Sequence, residues 1–317
     1  METDPRPFDV LTMGRVGVDL YPLQSGVPLA EVQTFQKFLG GTATNVAVGA
    51  ARYGHRSAVI TKVGNDAFAP YVRSALRAFG VDDRFVGTAQ GLLTPVVFTE
   101  LHPPDEFPLL FYRLPTAPDM EISLDELDLD AVRAARIFWT TGTGLSDEPS
   151  RTATLGALEA RGRAAITVHD LDYRPMFWPS PEHAGELQRR ALALATVAVG
   201  NREEAAVAIG DGPPEDQAAR LLDAGLDVAV VKLGPEGVLV ATRDGMERIP
   251  PVDVEVVNGL GAGDAFGAAL CHGLLSGWEI ARTIRFANAA GAYVAGQLAC
   301  ADAMPTEDQV EELLARA

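Results

Sequence analysis

Residues 258–270 read NGLGAGDAFGAAL: three glycines at alternate positions, one carboxylate, then an alanine-rich run. Glycine carries no Cβ, so Gly259, Gly261 and Gly263 let the backbone turn sharply and bring N–H groups close to a ligand. The run that follows predicts a helix from Ala265 through Leu275, with Asp264 in or near its first turn. A helix N-terminus with free N–H donors is an anion site, and a phosphoryl group in transfer is an anion. The same residues also describe an ordinary βα turn in which Asp264 only complements the helix dipole. A dinucleotide fingerprint fits poorly. Residues 261–267 are G-x-G-x-x-x-G, and no acid follows a strand about 20 residues on.

The elements that must hold this turn alternate along the chain. FDVLTMG (8–14), SAVITKVG (57–64), AAITVHD (164–170), ATVAVG (195–200) and DVAVVKLG (227–234) predict strands. TATNVAVGAARYG (42–54) and AFAPYVRSALRAFG (67–80) predict helices closed by glycine. TEDQVEELLARA (306–317) opens on a capping box, Thr306 to Gln309, and puts Val310, Leu313 and Leu314 on one face. Such alternation predicts an α/β fold, a mostly parallel sheet flanked by helices. Two segments break the pattern, 15–40 and 94–115. Both are strand-like, carry turn residues and lack a crossover helix. They predict small antiparallel elements outside the main sheet, a minor β layer acting as a lid. With no repeat and no linker, residues 1–317 read as one domain with that lid attached.

Composition bounds the chemistry. The chain has 317 residues, 47% hydrophobic and 22% charged, as soluble globular proteins do. A net charge of −17 argues against a nucleic-acid partner, which needs clustered Lys and Arg. It leaves room for a small anion held by local arginines, backbone amides and Mg²⁺. The two cysteines, Cys271 and Cys300, read as free buried thiols, and the five histidines lack metal-ligand spacing. METDPRPFDV at the start does not resemble a signal peptide. No uninterrupted apolar run approaches the ~18 residues of a membrane span. A cytoplasmic protein is expected.

FLGGTATNVAVGAARYG (38–54), TKVGNDAF (61–68) and, far downstream, GLGAGDAF (259–266) resemble the two signatures of the ribokinase/PfkB sugar-kinase family. The resemblance runs over nearly the whole chain and implies a ribokinase-like fold with a β lid. GRVGVDLYP (14–22), LDYRPMFW (171–178) and VGNREEA (199–205) are most similar to members acting on keto-deoxy sugar acids. It implies 5-dehydro-2-deoxygluconate, from inositol breakdown, as substrate, with 2-keto-3-deoxygluconate the less similar choice. ATP and Mg²⁺ are the implied cofactors, and a homodimer through the lid the implied assembly.

The resemblance also implies roles. Asp264 matches the catalytic base, and the amides of Gly261, Ala262 and Gly263 the anion hole. Free Asp, near ~3.9, lies roughly 12 units below an alcohol, a gap of about 16 kcal/mol, so the proton must move late in the transfer. Asn201 and Glu204 match an N-x-x-E pattern associated with Mg²⁺, through water, and the nucleotide phosphates. Their spacing fits a capping box equally well. Lys232, Gly234 and Gly237 in VKLGPEGVL (231–239) would lie along the nucleotide, and Asn288 near the adenine; by itself that stretch reads as a hairpin. Asp19, Gly40, Gly41 and Asn45 match sugar-contact positions. An Asn inside an Ala- and Val-rich helix needs partners, which a ligand can supply. Arg174, just past a strand end, and Arg113, at the end of a lid strand, are candidates for the sugar carboxylate, since a guanidinium matches it in two-pronged fashion. Each also reads as a surface ion-pair partner. Asn258 stands where many family members carry an Asp that helps bind a monovalent cation, which leaves K⁺ dependence open.

Three alternatives are weaker fits to the sequence. A kinase for a neutral sugar such as ribose or fructose would not need a carboxylate-reading arginine. A silent sugar sensor would not need Asp264 with an intact Gly-Ala-Gly run. A nicotinamide oxidoreductase would need the fingerprint that 261–267 lacks.

Overall fold

The computed structural model describes residues 8–316. Met1–Pro7, most of the stretch on which the absence of a leader was read, lies outside them. The predicted strands form at or close to the expected places: β1 (Val10–Met13), β4 (Ser57–Gly64), β10 (Ile166–Asp170), β11 (Val197–Asn201) and β12 (Val228–Lys232). With them come β5 (Val81–Asp82), β6 (Val86–Ala89), β9 (Ile137–Thr141), β13 (Val238–Thr242) and β14 (Gly245–Ile249). These strands make one sheet in the order β14-β13-β12-β11-β10-β9-β1-β4-β5, with β6 beside the far end of β4. Pairing is parallel from β12 to β5 and antiparallel across β12, β13 and β14.

Helices cover both faces, which is why the central strands read as nearly continuous apolar runs. On one face Val10, Trp139, Val168 and Val230 pack under α8 (Ala262–Leu275) and α9 (Ile280–Ala295). On the other, Leu11 and Phe138 pack under α4 (Ser150–Arg161) and α5 (Pro181–Leu192). Trp139 and Phe138 have no exposed surface, and each large apolar side chain so buried contributes ~1.5–3 kcal/mol. The predicted helices appear as α1 (Thr42–Arg52), α2 (Ala69–Ala78) and α10 (Glu307–Leu314), the last with its Thr306–Gln309 capping box closed. Helices α3 (Leu129–Ala134) and α7 (Pro214–Asp223) precede β9 and β12 in the same alternation. Among the described residues no helix is long and apolar enough to cross a membrane.

The two irregular segments supply a second sheet, β3-β2-β7-β8, from β2 (Gly17–Pro22), β3 (Phe35–Gly40), β7 (Val96–Thr99) and β8 (Leu109–Tyr112). Each segment is an antiparallel pair, as expected. The junction between them is not: β2 and β7 run parallel, Asp19 opposite Val97. The chain between them passes through α1, β4 and α2, and that crossover returns it to the same end, which parallel pairing requires.

In the main sheet the C-terminal ends of β1, β10, β11 and β12 share one edge. Arg15, Asp172, Arg174, Asn201 and Lys232 lie at or just beyond those ends. Ligands of open α/β sheets bind at such an edge.

Candidate active site

Helix α8 begins three residues earlier than predicted, at Ala262, with Gly261 as its N-cap in the left-handed region, φ +81°. A Cβ at Gly261 would come within 2.7 Å of Cys300 Cβ and Sγ, so both conformation and space require glycine there. The first intrahelical bond is from Ala265 N–H to the Gly261 carbonyl, 2.9 Å. The amides of Gly261, Ala262 and Gly263 therefore precede the hydrogen-bonded ladder. Asp264 sits in the first turn, as the sequence implies.

Asn45 comes from the first turns of α1. Its Nδ2 donates to Asp264 Oδ2 at 2.7 Å. Close helix approach makes this reach possible: a Cβ at Gly49 of α1 would lie only 2.4 Å from Ala268 Cβ of α8. Asn45 Oδ1 is buried without a partner, so one half of the amide still needs a donor. Burial pushes the Asp264 carboxyl up to about 6, with Asp172 adding to the rise, while the Asn45 bond and the nearby Arg15 and Arg174 oppose it.

Asp19 lies across the same cleft. It is 8% exposed, and burial lifts its carboxyl to about 6 against the Tyr21 bond and the charge of Arg15. Tyr21 Oη donates to Asp19 Oδ2 at 2.7 Å and lies 2.8 Å from Cys300 Sγ. Because Tyr21 has given its one proton to Asp19, the Cys300 thiol donates to Tyr21. At Gly40 a Cβ would lie 2.1–2.4 Å from the Asp19 carboxylate atoms. Gly41, at φ +106°, lets the turn into α1 touch the Arg15 backbone, whose carbonyl would be 2.4 Å from a Cβ. The glycine pair thus brings Asp19, Arg15 and the start of α1 together.

Arg113 and Arg174 both line this cleft, and a third guanidinium joins them, Arg15. Arg113 Nη2 bonds Asp119 Oδ2 at 2.8 Å and its guanidinium lies over the Phe177 ring. Arg174 Nε stands 3.3 Å from Asp172 Oδ1, out of line for a hydrogen bond. Arg15 Nη2 bonds both Asp172 oxygens, at 3.0 and 3.2 Å, and Thr42 Oγ1. Thr143 Oγ1 adds a 2.7 Å bond to Asp172. Asp172 is buried, and the charges of Arg15 and Arg174 hold its carboxyl far below the usual carboxylate range despite that burial.

The remaining candidates lie beyond the cleft. Asn201 and Glu204 form the capping box of α6 (Arg202–Ile209), with bonds of 2.7 and 2.8 Å. Gly234 and Gly237, both at positive φ, make the tight turn between β12 and β13, the expected hairpin. Asn288 on α9 donates to the Pro250 carbonyl at 2.8 Å. Asn258 is fully buried, and its amide bonds the Leu298 carbonyl and the Leu260 N–H. Lys232 is the link back to the cleft. Its Nζ lies 3.1 Å from where a Gly263 Cβ would be, directly over the first turn of α8.

Asp170, at the end of β10, is buried and its carboxyl is pushed well above the usual range by that burial, then by Asp172, Glu204 and Asp264. Lys232 opposes the shift. Sequence reasoning passed over Arg15, Asp170, Asp172 and Tyr21. The stretches GRVGVDLYP and HDLDYR held the signal, charged residues next to predicted strand ends. Among the described residues no three His, Cys, Asp or Glu side chains are grouped to hold a metal directly.

The profile of the pfkB family carbohydrate kinases matches residues 8–307. The 5-dehydro-2-deoxygluconokinase of Clostridium perfringens is 32% identical over 98% of this chain and 94% of its own length. That of Geobacillus thermodenitrificans is likewise 32% identical, with the same coverage of 98% and 94%. Among solved structures, aminoimidazole riboside kinase of Salmonella enterica, bound to aminoimidazole riboside and an ATP analogue, superposes with a TM-score of 0.78. It is 28% identical over 96% of this chain and 99% of that one. A PfkB protein from a Polaromonas species gives 0.85 at 25% identity, covering 96% and 99%. With a ribokinase-like sheet and a buried acid at a glycine-rich helix start, the chain belongs to the pfkB family and is an ATP-dependent carbohydrate kinase.

Proposed function

We propose that the chain transfers the γ-phosphoryl group of ATP to a hydroxyl of a keto-deoxy sugar acid, 5-dehydro-2-deoxygluconate, a step in inositol breakdown. One observation carries this reading: Asp264, at the free-amide end of α8, shares its cleft with three arginines. The names of the relatives from Clostridium and Geobacillus agree with it.

Asp264 acts as base, held by Asn45 through its 2.7 Å bond. With its carboxyl near 6, the gap to a sugar hydroxyl narrows to about 10 units, or ~13 kcal/mol. That still excludes prior deprotonation, so Asp264 orients the hydroxyl and takes its proton as the O–P bond forms. The amides of Gly261, Ala262 and Gly263 receive the charge on the equatorial oxygens. Asp19, oriented by Tyr21, and Gly40, Gly41 and Asn45 line the sugar position, with Asn45 Oδ1 free to accept from a sugar hydroxyl. Arg174 and Arg113 face the sugar carboxylate. Asn201, Gly234, Gly237 and Asn288 follow the nucleotide.

Hard oxygen donors suit Mg²⁺, and Glu204 and Asp264 lie close enough to Asp170 to raise its charging cost, with Lys232 opposing it. Asp170 and Glu204 would hold Mg²⁺ through water, and the ion would neutralise charge on the phosphates. Asn258 already bonds backbone at both ends of its amide, which supports a structural role there and K⁺-independent turnover.

Lys232, set over Gly263, places a point charge beside the phosphoryl group in flight. Lys232→Met should lower kcat about 10²-fold with little change in sugar KM, as loss of one preorganised electrostatic group does; steady-state kinetics check it. Acid should also stop the reaction. Asp264 must be ionised to accept a proton, so kcat/KM should fall as pH drops through about 6, and a pH–rate profile reads the limb directly.

We infer one kinase domain in which the second sheet, from 15–40 and 94–115, closes over the sugar as a lid. Its edge strand β8 exposes Leu110 and Tyr112, 46% and 62%, which supports a dimer through this sheet. ATP turnover against 5-dehydro-2-deoxygluconate, 2-keto-3-deoxygluconate, ribose and fructose tests the substrate. Selective turnover of the first supports the reading, and turnover of a neutral sugar alone rejects it.

A further inference from the structure

Arg15 follows Gly14, the first residue past β1, and its side chain bonds Thr42 at the start of α1 and lines the cleft. It is 7% exposed. A guanidinium has five N–H donors, and burial leaves any unused one costly. All of its protein bonds, two to Asp172 and one to Thr42, use Nη2. Nε is buried with no partner, and Nη1, which keeps some exposed surface, has no protein acceptor among the described residues. Three donors of a buried cation are thus free.

Charge gives a second, independent indication. Arg15 and Arg174 share one directly paired carboxylate, Asp172, and the other acids whose charge reaches Arg15, namely Asp19, Asp119 and Asp264, form no ion pair with it. Arg113 differs, being paired one-to-one with Asp119, which has no exposed surface. Arg174 is 38% exposed, so water can reach its outer nitrogens, although its Nε, like that of Arg15, is buried without a hydrogen bond. Arg15 is the cation that is both buried and without a carboxylate of its own.

Backbone strain points the same way. Asp172 sits at φ +26°, one of two non-glycine residues at positive φ among those described. Strain of this kind costs about 1–3 kcal/mol and persists where surrounding contacts over-determine it. Here those contacts are Arg15 and Thr143.

We propose that Arg15, positioned by Asp172, is an oxyanion-binding residue of the reaction, its free N–H donors received by an oxyanion of the bound reactants. That oxyanion is the carboxylate of the sugar acid or the phosphoryl group in transfer, which lies near Arg15 because Asp264 does. The carboxylate source rests on the proposed substrate; the phosphoryl source rests only on the kinase activity.

The test compares Arg15→Met with wild type on the sugar acid and on its counterpart bearing a primary alcohol in place of the carboxylate. If Arg15 holds the carboxylate, KM for the acid should rise about 10²-fold while the alcohol is unaffected, as for a truncated buried charge pair. If it holds the phosphoryl group, kcat should fall about 10²-fold on both. Arg15→Lys keeps the charge and the Asp172 pair but lacks the planar fork, so it should move the same parameter about tenfold. It decides the matter where Arg15→Met melts below the assay temperature. Both parameters within threefold of wild type on both substrates, in the variant that folds, would overturn the proposal. Wild type turning over only the alcohol or another neutral sugar would instead remove the substrate reading, leaving the kcat arm to decide Arg15.

Discussion

Asp264→Asn should lower kcat about 10³-fold while leaving the KM for ATP and sugar within a fewfold of wild type, the range expected for a lost general base. The substituted amide oxygen would still accept from Asn45 Nδ2 and the side chain would still order the first turn of α8, so ground-state binding should survive. The same variant should be more stable at neutral pH. Folding raises the Asp264 carboxyl from 3.8 to about 6, so its favourable contribution is complete below 3.8 and is lost as pH rises through 6. The ionised group therefore costs up to ~3 kcal/mol above pH 6, less where water reaches the cleft. Asparagine removes that cost. Thermal melts should show Asp264→Asn a few degrees above wild type at pH 7.5 and level with it near pH 4. A lower Tm at both would assign Asp264 to stability and not to catalysis.

Gly261→Ala should be nearly as damaging for a different reason. The residue holds φ +81° and its new Cβ would lie 2.7 Å from Cys300 Cβ and Sγ. A left-handed non-glycine residue costs ~1–2 kcal/mol before any clash. Relief must come from moving the start of α8, and that displaces the three amides proposed to receive the phosphoryl group. A kcat loss of about 10²–10³-fold is expected, the range seen when one such donor is lost. Cys300→Ala alone should be mild, since it removes only the thiol. Combined with Gly261→Ala it should recover part of the rate, because Sγ is half of the obstruction while Cβ and the strained φ remain. Full recovery would place the damage in Cys300 packing and not in the amide positions.

The signals legible in sequence were those with a period or a backbone requirement. Strand β4 appeared at Ser57–Gly64, as read, because a long apolar run closes on a glycine. The Thr306–Gln309 capping box closed because its two side chains serve only local amides. Strand β9 was missed. All five of its residues are buried, so IFWTT shows no alternation, and although Gly142 follows it directly, no turn residue marks its start. Parallel pairing of β2 with β7 was missed because register between distant segments leaves no local mark.

At the site, Asp264 and Asn45 stood out as departures from their surroundings, and Gly40 and Gly41 were marked by the family resemblance. Arg15 and Asp172 did not stand out. Each looks like a surface charge in sequence, and only the fold buries them together from positions 157 residues apart. Pairing across such a distance is tertiary information. It also adds an arginine to the candidates: Arg113 and Arg174 were legible in sequence, while Arg15, buried and sharing its carboxylate, was not.

The most direct measurement is ³¹P NMR of wild type and Asp264→Asn incubated with ATP, Mg²⁺ and 5-dehydro-2-deoxygluconate. The expected result is a phosphate monoester forming in step with ADP in the wild type, and almost none in the variant over the same time. ADP accompanied only by inorganic phosphate, or ester formed equally fast by Asp264→Asn, would contradict transfer to this sugar acid with Asp264 as base.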